Sequence, residues 1–165
     1  MMARKFLVIN PENCTGCRIC EIACSFQHYK SFNPRKSRVH VLKVEKRGIY
    51  IPNVCRHCRD APCMASCPTG AIYRDKSTDG ILINYDVCIR CHQCVIACPF
   101  GAITIDPETS DPLKCDLCGG DPQCAARCPR EAILYIRGDR VGFDKRRRRS
   151  EAFLEVLSSL AGGGV

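Results

Sequence analysis

The sequence predicts an α+β chain of short strands and helical turns built around metal-sulfur groups instead of a large apolar core. Three observations predict it. Sixteen cysteines fall into four groups of four with none left over. The chain of 165 residues has no tryptophan and only 7% aromatic residues, too little bulk for ordinary cores in two small domains. The motif C-P-x-x-A-I occurs three times, running from Cys67 to Ile72, Cys98 to Ile103 and Cys128 to Ile133, and each copy opens a strand-like run, which marks internal duplication.

The groups are Cys14, Cys17, Cys20 and Cys24; Cys55, Cys58, Cys63 and Cys67; Cys88, Cys91, Cys94 and Cys98; and Cys115, Cys118, Cys124 and Cys128. Each opens with C-x2-C and closes with C-x3-C. The third, with C-x2-C-x2-C-x3-C-P spacing, has the ligand pattern of a bacterial [4Fe-4S] cluster. Three of its thiolates can wrap three corners of one iron-sulfur cube, while the fourth, a helical turn on, points toward a different cluster. Pro99 then ends the turn, because it has no amide hydrogen and disfavours helix in the residue before it. Four [4Fe-4S] clusters with these sixteen cysteines as iron ligands are therefore expected.

Zinc ribbons separate two C-x2-C pairs by a long loop, whereas each group here lies within fourteen residues. A disulfide framework needs an oxidising compartment, yet Met1 to Asn13 lacks a long apolar core and a small-residue cleavage site, so a cytoplasmic protein is expected. His57 and His92 lie between cysteines but are expected to hydrogen-bond or face solvent, since every group already has four thiols.

The formal charge of +8 invites a nucleic-acid partner, but it counts the cysteines as neutral. A cluster with four thiolates carries about −2, so four of them offset the excess and leave roughly zero. Arg18, Arg56, Arg59, Arg90, Lys114, Arg127 and Arg130 lie within or beside the groups, where positive charge favours the reduced cluster and raises its potential. No nucleophile–base pair, dinucleotide fingerprint or P-loop is present, and no apolar run reaches transmembrane length. The chain reads as an electron carrier without a catalytic site of its own.

In chain order, Phe6 to Asn10 is a strand stopped by Pro11, and Ile81 to Asn84 plays the same part before Cys88. The first group departs from the repeat, because Cys24 is followed by Ser25 instead of proline. Ser31 to Arg38 reads as a loop, and Val39 to Val44 with Ile49 to Ile51 as a hairpin turned at Gly48. Asp75 to Gly80 is a turn, and Asp106 to Pro112 an exposed linker rich in turn formers. From Lys145 a basic run leads to a short helix over Glu151 to Leu160, capped by Ser150, with Phe153, Leu154, Leu157 and Leu160 on one face.

With C-P-T-G-A-I, D-G-I and C-I-R-C in that order, Cys55 to Ile105 resembles a two-cluster bacterial ferredoxin. The whole, over residues 3 to 137, is similar to the four-cluster electron-transfer subunits of dimethyl sulfoxide reductase, formate dehydrogenase, carbon monoxide dehydrogenase and tungsten aldehyde oxidoreductase complexes. That resemblance implies nested ferredoxin-like lobes: an outer lobe of residues 1–50 and 110–144, an inserted inner lobe of residues 51–109, and a docking tail of residues 145–165. It also implies a catalytic oxidoreductase partner, tungsten or molybdenum enzymes being favoured, with a flavoprotein or ferredoxin as the other redox partner and no nucleic acid. A freestanding polyferredoxin and an iron-sulfur regulator that binds nucleic acid are the rival readings. The crossed pattern pairs Cys55, Cys58 and Cys63 with Cys98, and Cys88, Cys91 and Cys94 with Cys67. By exclusion, and in line with the family's nesting, Cys14, Cys17 and Cys20 close with Cys128, and Cys115, Cys118 and Cys124 with Cys24.

Overall fold

The computed structural model describes residues 4–161. Its strands form four two-stranded antiparallel sheets, and its helices are mostly single turns. β1 (Lys5–Ile9) pairs with β8 (Ile133–Arg137), so the first strand and the last C-P-x-x-A-I exit close on each other, Ile9 opposite Ile133. β2 (Val39–Val44) and β3 (Ile49–Val54) form the expected hairpin, turned at Gly48 in the left-handed region. β4 (Ile72–Arg74) pairs with β5 (Ile81–Ile83), and β6 (Ile103–Ile105) with β7 (Pro112–Lys114).

The last two hairpins share one turn chemistry. Asp75 accepts from the Thr78 amide at 2.7 Å, and Asp106 accepts from the amides of Glu108 at 2.8 Å and Thr109 at 3.3 Å. Each aspartate thus replaces a backbone partner and tightens the bend. The second turn is exposed, as expected, from Pro107 to Ser110, but its ends are not: Asp106 and Pro112 are buried, and β7 is buried at all three residues. The same hairpin spans the boundary expected at residues 109 and 110.

Among the described residues, four α-helices carry cysteines. α1 (Ile19–Tyr29) holds Cys20 and Cys24, α2 (Pro62–Ala65) holds Cys63, α3 (Gln93–Ala97) holds Cys94, and α4 (Gln123–Ala126) holds Cys124. Cys67, Cys98 and Cys128 follow the last three within two residues, where Cys-Pro stops the helix. Without a proline, α1 runs on for eleven residues. It buries Glu21, whose carboxylate takes the Arg18 guanidinium at 2.6 Å and the Val41 amide at 2.7 Å. Below it, Arg38 reaches Asp116 at 2.5 Å, across 78 residues of sequence.

α5 (Gly138–Ala161) starts where the Gly138 amide donates to the Arg4 carbonyl at 2.8 Å, and it runs unbroken for 24 residues. The expectation of a short helix capped by Ser150 is thereby corrected. Ser150 sits mid-helix and its Oγ donates back to the Arg146 carbonyl at 3.0 Å, a bond that a helix interior allows and a cap does not make. Phe153, Leu154 and Leu157 on this helix are exposed.

Two glycines test the loops that hold cysteines. Gly16 and Gly101 both have positive φ, but a Cβ on Gly101 meets nothing within 4 Å while one on Gly16 lies 2.6 Å from the Tyr50 ring. Gly101→Ala should therefore cost only the left-handed strain, about 1–2 kcal/mol, and Gly16→Ala distinctly more. In thermal melts followed by visible absorbance, the Gly16 variant should lose its chromophore at the lower temperature, and equal midpoints would contradict the steric argument.

Candidate iron-sulfur sites

The structure brings the cysteines together in sets that cross the sequence groups. One cavity is lined by Cys14, Cys17, Cys20 and Cys128, a second by Cys55, Cys58, Cys63 and Cys98, and a third by Cys67, Cys88, Cys91 and Cys94. The three cavities are alike in size, about 20 Å³ each. Of the remaining four thiols, Cys24, Cys115 and Cys124 pack in one buried cluster. Burial pushes Cys124 up, and the charges of Cys24 and Cys118 add to it; Cys115 is raised by burial and then by Cys124.

The reason for the crossing is helical geometry. Cys20 and Cys24, or Cys94 and Cys98, are separated by one turn, so each helix stands between two sites and supplies a thiol to both. α1 packs on α4, and α2 on α3, which duplicates this arrangement.

The fourth cysteine of each group receives a backbone amide. Cys98 accepts from Ala102 at 3.4 Å and Cys128 from Ala132 at 3.2 Å, the same alanine of C-P-x-x-A-I in both. At Cys67 burial raises the thiol, but hydrogen bonds from the Ile72, Thr69 and Ala71 backbone and from the Thr69 side chain outweigh it and leave it lowered. Cys24 has no such motif and takes the amide of Arg38 at 3.3 Å instead. Each of these bonds stabilises sulfur as thiolate, and so disposes the set to hold a cation.

Burial works the other way on the helix cysteines. It pushes Cys20 up to about 12 and Cys94 up to about 11, in each case with help from neighbouring carboxylate or thiolate charge. In the metal-free chain these thiols hold their protons at neutral pH, and loading must release them. Sets of four sulfurs with no disulfide among them suit tetrahedral thiolate ligation.

Each of the two histidines meets a backbone group. His57 is buried and pushed down to about 3, by burial first and the Lys114 charge next, and its Nδ1 accepts from the Ile81 amide at 2.9 Å. His92 Nε2 lies 2.8 Å from the Ser110 carbonyl. Sequence reasoning missed His28, which lies 3.5 Å from Asp116 and 3.9 Å from the Cys118 sulfur. It also missed the Arg38–Asp116 pair, whose partners carry no local signature. Asp116 is raised by burial but held lower by Arg38 and His28.

Arg18 and Arg90, expected as cluster counter-charges, are half exposed and spent on Glu21 and Asp111. Lys114 alone of the seven expected counter-charges is buried against a cysteine sulfur. Among the described residues no helix is long and apolar enough to cross a membrane.

Known proteins agree with this chemistry. The family described as 4Fe-4S dicluster domain matches residues 46–137, and the 4Fe-4S binding domain matches residues 6–29. The sequence is 39% identical to the aliphatic sulfonate oxidoreductase polyferredoxin-like subunit of Pyrococcus furiosus, over 76% of this protein and 72% of that one. It is 34% identical to the electron transport protein HydN of Escherichia coli, over 90% of this protein and 99% of that one. The B subunit of polysulfide reductase from Wolinella succinogenes is 35% identical, over 81% and 77% of the two proteins. In fold, the protein resembles a subunit of the active site complex BamBC of benzoyl coenzyme A reductase, with a TM-score of 0.50 at 24% identity, covering 93% of this protein and 96% of that subunit. The crossed cysteine sets and these matches together place the protein in the 4Fe-4S ferredoxin-like family of electron-transfer subunits.

Proposed function

We propose that the protein binds four [4Fe-4S] clusters and relays single electrons between a catalytic oxidoreductase subunit and a second redox protein. The ligand sets are Cys14, Cys17, Cys20 and Cys128; Cys24, Cys115, Cys118 and Cys124; Cys55, Cys58, Cys63 and Cys98; and Cys67, Cys88, Cys91 and Cys94. A bound [4Fe-4S] cluster supplies a one-electron couple. The protein holds the sulfurs, excludes water and sets the local charge.

The observation that carries this reading is how the thiols pack. Cys20, Cys24, Cys55, Cys115 and Cys124 share one buried cluster, Cys63 and Cys94 share a second, and Cys98 packs against both. The sets therefore run from the Cys14 set through the Cys115 and Cys55 sets to the Cys88 set. Exposure follows it: Cys17 and Cys91 are the exposed cysteines, and each belongs to a terminal set. A buried middle with open ends suits a relay. The lobes expected at residues 1–50 with 110–144 and at 51–109 then each hold two adjacent sites.

The subunit named for an aliphatic sulfonate oxidoreductase supports a catalytic partner, and the resemblance favours a tungsten or molybdenum enzyme there. We assign the tail to docking on that partner, because Phe153, Leu154 and Leu157 are exposed and a basic run precedes them.

Anaerobically isolated protein should contain about sixteen iron and sixteen acid-labile sulfide per chain, four of each per site; stoichiometric zinc with little sulfide would sink the proposal. Cys98→Ser should first alter the spectrum of the cluster held by Cys55, Cys58 and Cys63. An effect confined to the Cys88, Cys91 and Cys94 site would mean that ligation is not crossed. Truncation before Lys145 should weaken co-purification with the catalytic subunit at unchanged iron content, and iron loss would assign the tail to the fold instead.

A further inference from the structure

Lys114 is the one lysine buried among the sites, 2% exposed, and it lies between the two halves of the relay. Its ammonium has three acceptors. Nζ donates to the Cys55 sulfur at 3.2 Å, to the Cys115 carbonyl at 3.4 Å, and to the Ile81 carbonyl in a still closer contact. Three acceptors match the three N–H groups of an ammonium, where a neutral amine has only two. Cys115 belongs to one proposed site and Cys55 to the next, so the charge sits where the two sites approach.

Arg4 and Arg74, on the same side, share the Asp79 carboxylate at 2.8 and 3.1 Å, and among the described residues no carboxylate lies within ion-pair distance of Lys114. A buried cation is screened weakly by salt and acts strongly on a sulfur to which it donates.

We propose that Lys114 raises the reduction potential of the site held by Cys55, Cys58, Cys63 and Cys98, and so makes it the resting point of an electron crossing between the outer and inner pairs of sites. The inference rests on the four-cluster reading above. In the crossing, one electron leaves the Cys24, Cys115, Cys118 and Cys124 site, which is oxidised, and enters the Cys55 site, which is reduced; no proton moves and no bond breaks. Reduction adds one negative charge beside the ammonium, and that added attraction is the source of the raised potential. Lys114 is a positioning residue, since it acts on the sulfur and not on iron.

The test is anaerobic redox titration of the loaded full-length chain, followed by electron paramagnetic resonance, for wild type, Lys114→Met, Lys114→Gln and Lys114→Arg, with iron and sulfide counted in each. The Met and Gln variants should lower the potential of one cluster. The expected change is at least tenfold in its oxidised-to-reduced ratio at fixed poise, or 59 mV for one electron. The affected signal should be the one that Cys98→Ser perturbs, and Lys114→Arg, which keeps the charge, should retain most of the wild-type potential. Fully loaded Met or Gln protein with unchanged potentials overturns the role of Lys114 while leaving the four clusters standing. Should Lys114→Met lose iron, Lys114→Gln, which keeps hydrogen bonds without charge, decides: loaded with a lowered potential it supports the role, and loaded with the wild-type potential, or unloaded like Met, it makes Lys114 a folding residue and overturns it. Wild-type protein with zinc and no sulfide would fail the cluster reading itself.

Discussion

A buried thiolate is unstable without positive charge in bonding reach, and this protein buries seven of its sixteen cysteines. Much of the architecture follows from that constraint. Four two-stranded sheets, two of them only three residues long on each strand, would be marginal as free hairpins. They persist because each leads into or out of a cysteine loop that a shared metal group would tie to a distant part of the chain. The β1–β8 pair illustrates the dependence. Its strands are separated by more than a hundred residues, and the Cys14 loop follows one as Cys128 precedes the other, so the ends are joined through sulfur as well as through backbone.

Much of this was legible in the sequence because the repeat is local. C-P-x-x-A-I carries its own stop, turn and strand, and its alanine amide returns to the cysteine four residues back. The hairpin at Gly48 and the strands beside each group were readable for the same reason. What escaped lay in long-range or context-dependent pairing. Glu21 looks like a helix-surface residue until Arg18 and the Val41 amide enclose it. Arg38 and Asp116 find each other only after the outer groups converge. Asp106 reads as a loop residue by type, yet it is buried where the exposed turn meets β7, whose three residues are all buried. At Ser150 a good capping residue was mistaken for a boundary, although the surrounding arginines and glutamates, such as Arg147 and Glu151 at 2.8 Å, favour helix through that point.

The three exits show how a repeat drifts without losing its geometry. Gly70 and Gly101 occupy the left-handed position after Cys-Pro, at φ 66° and 57°, and the third copy places Glu131 there at φ 51°. The non-glycine residue carries a conformational cost. The Glu131 carbonyl accepts from the Asn10 side chain at 3.2 Å, and the Ala132 carbonyl from the Asn10 amide at 2.9 Å, contacts made because this exit closes the fold on β1. Duplication set the shape, and closure of the outer half permitted the exception.

On the proposed relay, geometry alone treats the two directions of travel alike, since either end exposes one cysteine. The two rims are alike in kind: around Cys91, Val87, Ile89 and Ile96 are exposed at 48%, 62% and 78% beside the Arg90–Asp111 pair, and around Cys17, Ile19 and Ile22 are exposed at 41% and 38% beside the Arg18–Glu21 pair. Covering such apolar side chains gains from water exclusion, so either rim suits a docked partner. The buried ammonium of Lys114 lies between them, where no surface partner can reach it, so its influence on the electron is the same whichever partner is bound.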